Sequence, residues 1–475
     1  MAACRKLLFL YELESHIWFS VAWVYGDHLC GGTLDWESGG GRLSAKDLSG
    51  KIILAVCAAT LLLVLAYFKY FDFFLRYLNI LFQHFHIGEM HSSHEILLPV
   101  GISFYILQSL GYVIDVYRKD IYAEKNFLKY ALFVSFFPQL VAGPIERSRN
   151  LLRQLDSPAK LTWDNFRKGL LLIFYGLFCK VVIADRIAVI VETVYGDSET
   201  YCGLYILYAA FLFSFQIYCD FYGYSTMARG SAMLLGIELV DNFNAPYYAR
   251  SVKEFWRRWH ISLSSWLKDY LYIPLGGNRK GSVRKKCNLL AVFTVSGLWH
   301  GASFGFVTWG FLNGFYQIVG EYFLALRKKL RSVLCCLHLA DTDGSRETFI
   351  ARFLQTVTTF ALITVTWIFF AAGGVSPAVT LLKQMFAVFN WQILFDGSLY
   401  GLGVDRPYTV VMFLAILLLM LVDYEKYHGK DVAGLILKHG WWFRALTLIG
   451  LVIASMIFGC YGEMYDTKQF IYFQF

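Results

Sequence analysis

Long apolar runs separated by short basic blocks set the pattern of this chain. Ten runs approach or reach the roughly 20 apolar residues that a helix needs to cross a bilayer. They are Ile52–Phe74, Ile96–Val116, Phe127–Val141, Gly169–Ile190, Tyr201–Tyr218, Asn288–Gly305, Val307–Leu326, Phe353–Ala372, Tyr408–Val422 and Ala445–Tyr461. Phe127–Val141 and Tyr408–Val422 are short, which suits re-entrant or buried pieces. Gln139 and Pro144 in FFPQLVAGPIER point to a broken helix, tolerated where its backbone lines a cavity. The pattern predicts an all-α polytopic membrane protein of about ten membrane segments.

Basic blocks lie between the runs at Arg147–Arg153, Arg250–Arg258, Lys268–Lys286 and Arg327–Arg331. The positive-inside rule assigns most of them to the cytoplasm. Helix counts do not put all four on one side, and half-inserted helices are one resolution. Residues 26–50 read as a polar loop, and no cleavable signal peptide is legible, because Glu12 and Glu14 interrupt the first apolar stretch.

Composition narrows the class. Of 475 residues, 57% are hydrophobic and 16% charged, against about 25% charged in a soluble domain. A surface that faces lipid needs no such charge. The net charge of +8 therefore marks loops and is not a nucleic-acid footprint. Ten cysteines include no CxxC pair, so neither a disulfide framework nor a zinc site is expected. The spacing of His84, His86, His91, His94 and Glu95 brings imidazoles together, but on an inter-span loop without a fixed scaffold, so no metal is expected there.

Polar groups at membrane depth are functional candidates. His300 lies in NLLAVFTVSGLWHGASFGFVTWG, read as one apolar helix with Ser296, Gly297, Ser303 and Phe304 as its face neighbours. Small residues there leave room for a channel or for a second helix packed close. A buried imidazole stays neutral and can take the proton of an attacking hydroxyl. A second candidate is SVKEFWRRWHISLSSWLKDYLYIPLGGNRKG, in which Trp256, His260 and Ser264 share a helical face and Arg257 and Arg258 flank them. It reads as an interfacial anchor or as a cavity mouth with cations near a phosphate-bearing donor. Pro274–Asn278 is a predicted turn. Asp115 and Asp220, near ends of apolar runs, read as structural hydrogen-bond partners.

EFWRRWHISLSSWLKDYLYIPLGGNRKG and SGLWHGASFGFVTWG together resemble the membrane-bound O-acyltransferase family, in its bacterial alginate O-acetyltransferase branch. LAYFKYFDFF, LPVGISFYILQSLGYVIDVYR, NFLKYALFVSFFPQLVAGPIER and YCDFYGYSTMARGSAMLLGIELVDNFNAPY fit it too, so the resemblance runs from about Ile52 to the C-terminus. It implies a ring of helices around a central tunnel, with one domain over 51–475. It implies that the WHG histidine, His300, and the FWxRWHxS histidine, His260, line that tunnel as catalytic residues. It also implies that Trp256, Arg258 and Trp259 shape a donor-binding mouth. The implied donor is acetyl-CoA or another acyl thioester, without a metal. The implied acceptor is an exported glycan, with an extracellular SGNH-like acetyltransferase as partner, at a bacterial inner membrane.

Two departures stand out. Residues 1–50 lack the two apolar helices with which the family opens, so this segment reads as divergent or truncated. WIFFAAGG at Trp367–Gly374 lacks the arginine common after the paired aromatics. D-alanyl transfer to teichoic acid is the nearest alternative, although that branch generally lacks the PLGGNR stretch at Pro274–Arg279. A transporter with histidine proton relays has few buried carboxylates to draw on. A non-enzymatic scaffold would leave both histidines without a role.

Overall fold

A computed structural model describes residues 48–86, 88, 90, 99, 101–140, 143–156, 161–336 and 349–461. The expectations for residues 1–47 and for His91, His94 and Glu95 lie outside the described residues. Every regular element among the described residues is a helix. They fall in two compact units, Met1–Lys160 and Leu161–Phe475.

The first unit contains α1 (Leu48–His84), α2 (Ile102–Arg118), α3 (Phe127–Ser135), α4 (Phe137–Leu140) and α5 (Ser148–Leu155). The predicted break in the third apolar run falls at Phe136, where ψ is 103°. A broken helix leaves carbonyls without their usual partners. The Phe133 carbonyl accepts from Gln108 Nε2 at 2.8 Å and from Gln139 Nε2 at 3.0 Å. Asp115 accepts from Ser148 Oγ at 2.9 Å, the structural part expected of it.

The second unit opens with α6 (Trp163–Phe178), a π-helical turn at Cys179–Ala184, α7 (Asp185–Gly196) and α8 (Leu204–Leu234). α8 is apolar all round and mostly buried, as a central helix should be. Glycines let α6 approach it. A Cβ on Gly176 would stand 2.5 Å from the Gly223 carbonyl oxygen, and one on Gly169 would stand 2.9 Å from that of Gly230. No larger residue permits this separation without moving a backbone. Asp220 lies within α8 rather than near a helix end, because the helix continues 14 residues past it to Leu234. Lys180, on the π turn, meets Asp220 at 2.5 Å and Asp185 at 2.8 Å.

Next come α9 (Val252–Arg258), α10 (Ile261–Leu267), a π turn at Lys268–Tyr272, α11 (Gly281–His300) and α12 (Phe304–Cys336). Then follow α13 (Phe349–Ala371), α14 (Val375–Met385), α15 (Arg406–Tyr427), α16 (Val432–Lys438) and α17 (Trp441–Phe458). Among the described residues, five helices are long and apolar enough to cross a membrane: α1 from Gly50, α8, α13, α15 and α17. α17 buries only Ser455, so its apolar surface faces outward, where lipid would lie. The run expected to be short at Tyr408–Val422 is a 22-residue helix, because Arg406 and Lys426 extend it at both ends.

Candidate active site

Two expectations about the histidines are corrected. Trp256, His260 and Ser264 do not share one helical face. The helix stops at Arg258, and His260 takes a left-handed conformation, φ 45° and ψ 54°, before α10 begins. A non-glycine residue there costs on the order of 1 kcal/mol and persists only where its surroundings hold it. His300 does not sit mid-helix: it is the last residue of α11, and α12 starts at Phe304. Gly301 breaks the chain between them. A Cβ at that position would lie 2.2 Å from the Phe306 ring.

Local signals explain α9. Ser251 Oγ accepts from the Glu254 amide at 3.1 Å, and Glu254 Oε2 accepts from the Arg250 amide at 3.0 Å. This is a variant of the capping box, carried by the S-x-x-E pattern. The predicted turn at Pro274–Asn278 is present, pinned by Asn288 Nδ2, which donates to the carbonyls of Leu275 and Gly277 at 3.2 Å.

The two breaks bring the histidines together. Their ring centroids are 6.2 Å apart at 51°. That is too far for a direct hydrogen bond and close enough for one oxygen atom to bridge the rings. Aromatic rings wall both. Trp299 and Trp309 meet His300 edge-on at 4.9 Å, and Phe370 stands 5.8 Å away. Phe221 meets His260 at 4.7 Å. His260 has no solvent exposure and His300 has 4%. His300 precedes the short turn Gly301–Ser303, in which Ala302 and Ser303 are half-buried, and Phe304 just beyond it is exposed. His260 lies outside the five long apolar helices, and burial pushes its imidazole down to about 3, so it is neutral at neutral pH.

The residues expected at a donor-binding mouth pack as follows. Trp256 packs against the ring wall: its Nε1 donates to Asn313 Oδ1 at 3.0 Å, and its ring lies 5.6 Å from Trp309. Trp259 is core, packed on Phe243 at 5.0 Å, Trp367 at 5.1 Å and Phe255 at 5.4 Å. Arg258 is held by three neighbours. It bonds Glu254 at 3.0 Å and the Asn244 carbonyl at 3.1 Å, and lies 4.5 Å over Tyr427.

Sequence reasoning assigned no site role to Trp309, Trp367 and Phe370, which complete the aromatic wall, or to Asn313, which holds Trp256. Each sits in an apolar helix, and single tryptophans or an asparagine in such runs carry no spacing signal. Among the described residues, no three His, Cys, Asp or Glu side chains converge as a metal site would require.

Residues 123–333 match the profile of the membrane-bound O-acyltransferase family. A relative from Pseudomonas putida, named probable alginate O-acetylase, is 35% identical over 430 residues, covering 87% of this chain and 82% of its own. A peptidoglycan O-acetyltransferase of Helicobacter pylori is 35% identical over 350 residues, 68% of this chain and 62% of its own. A teichoic acid D-alanyltransferase of Streptococcus thermophilus is 25% identical over 258 residues, 51% of this chain and 61% of its own.

Proposed function

The chain belongs to the membrane-bound O-acyltransferase family, and from that premise we propose that it moves an acetyl group from a cytosolic thioester to hydroxyls of an exported polysaccharide or cell-wall glycan, with His300 as general base. It is a multi-pass membrane enzyme that transfers acyl groups. The acetyl reading rests on the two relatives named for O-acetylation, at 35% identity over most of this chain, against 25% over half of it for the D-alanyl relative.

The observation that supports the site is the pair of imidazoles 6.2 Å apart among aromatic rings, each delivered by a break in a helix. In the proposed step the acceptor hydroxyl oxygen attacks the thioester carbonyl carbon. His300 takes the hydroxyl proton as the new C–O bond forms. The C–S bond then breaks, and the same proton passes to the departing sulfur to give a free thiol. A neutral His260 holds the bridging oxygen from its other side. Trp256, fixed by Asn313, lines the approach of the donor. Acetyl-CoA is the proposed donor. An extracellular SGNH-like acetyltransferase is the proposed partner that completes delivery to the glycan.

The test is acetyl transfer from labelled acetyl-CoA to a glycan acceptor by membranes carrying the protein, without an ion gradient. His300→Ala should abolish transfer while leaving the amount of protein in the membrane unchanged. Transfer at the wild-type rate by that variant refutes the assignment and leaves the scaffold reading.

A further inference from the structure

His260 is held in its left-handed conformation by a short extended segment on the opposite side of the helix break. The Asn244 amide donates to the Arg258 carbonyl at 2.9 Å, before His260. The Ile261 amide donates to the Asn242 carbonyl at 2.9 Å, after it. Asn242, 1% exposed, does more with its side chain. Its Oδ1 accepts from the Ser262 amide at 3.2 Å, and its Nδ2 donates to Ser225 Oγ on α8 at 3.1 Å. Phe243, between the two asparagines, packs on Phe221 and Trp259, each at 5.0 Å. Phe221 is the ring that meets His260 at 4.7 Å. Ala245 in the same segment is also left-handed, φ 49°. The two paired segments thus carry one strained backbone position each, as happens where the surroundings over-determine a local geometry.

We propose that Asn242 is the positioning residue for His260: its carbonyl and Oδ1 fix the two amides that follow the histidine, and its Nδ2 ties them to α8, so that the imidazole is aimed at the oxygen it shares with His300. The proposal rests on the reading of His260 as part of the transfer site. It assigns Asn242 no contact with substrate. Loss of the side chain frees the first turn of α10 and lets the ring tilt. The effect falls on the turnover step, because the donor is bound by other residues.

The experiment is a double-mutant cycle in full-length protein in membrane vesicles, assayed with labelled acetyl-CoA and a glycan acceptor and normalised to protein amount. Asn242→Leu should lower kcat about tenfold, the loss expected when one or two hydrogen bonds no longer hold a catalytic group, with KM for acetyl-CoA within about twofold. Asn242→Asp keeps an oxygen for the Ser262 amide and should stay within about threefold of wild type. Combined with His260→Ala, Asn242→Leu should slow the reaction no further, because its effect passes through the histidine. A wild-type kcat for Asn242→Leu overturns the proposal, as does an additive loss in the double variant. A wild-type rate for His260→Ala overturns instead the reading beneath it. If Asn242→Leu does not accumulate, Asn242→Ala removes the same two bonds without added bulk and is judged by the same criteria.

Discussion

Replacing Gly310 by alanine tests whether the α11–α12 hairpin sets the position of His300. A Cβ at Gly310 would stand 2.2 Å from the Phe293 carbonyl oxygen, a backbone atom, and 3.1 Å from the Gly297 Cα. Ordinary contact begins at 3.4 Å, so the two helices must separate locally by about 1.2 Å. His300 ends α11 three residues beyond Gly297, and Trp309, beside Gly310, walls its ring. Overpacking of this kind costs about 1–3 kcal/mol of stability, and the better helix propensity of alanine returns about 1 kcal/mol of it. Misplacing a catalytic group by about 1 Å costs on the order of a hundredfold in rate, or about 2.7 kcal/mol of barrier. Activity should therefore fall far more than stability. Two controls on α12 grade the effect. At Gly314 the nearest atom to a new Cβ is the Phe293 Cβ, at 3.1 Å, and at Gly320 nothing lies within 4 Å. The assay is acetyl transfer per amount of folded protein, beside the thermal midpoint in detergent. Expected losses are about a hundredfold for Gly310→Ala, threefold or less for Gly314→Ala and none for Gly320→Ala. Equal activity across the three variants would refute the link between hairpin spacing and the site.

The remaining predictions concern charge. Lys180→Met leaves Asp185 and the buried Asp220 without the cation they share, and should cost about 3–5 kcal/mol, read as a lower thermal midpoint. Adding Asp220→Asn should recover part of that loss, and failure to do so would show that the methionine itself misfits. Burial pushes the Asp431 carboxyl up, but hydrogen bonds from Lys168 and the Gly434 amide outweigh it, so the group titrates below its ordinary value. A depressed carboxyl stabilises above its unfolded value near 4 and loses that contribution as pH falls through the folded value. The stability gap between wild type and Asp431→Asn should therefore hold from pH 7 to about 5 and close below about 4. A gap that widens toward acid would reverse the sign assigned here.

Hydrophobic patterning determined the class of this protein, because runs of apolar residues with few charges have no soluble solution. It also indicated the broken helix around Phe136, since Gln139 and Pro144 do not continue an apolar span unaided. The two histidines were legible because an imidazole in an apolar run stands out, and because short motifs surround each. Their arrangement was not legible. Periodicity placed Trp256, His260 and Ser264 on one face and put His300 inside a helix, since it assumes that a helix continues wherever propensity allows. The tertiary structure overrides that assumption at both points. At His260, a segment some 16 residues earlier supplies the hydrogen bonds that hold a left-handed residue. At His300, the ring of Phe306 occupies the space that a side chain on Gly301 would need. Contacts of this kind join residues with no fixed spacing along the chain, so only the packed structure decides them. The same limit applies to Arg258, whose packing against Glu254, Asn244 and Tyr427 no spacing along the chain announces.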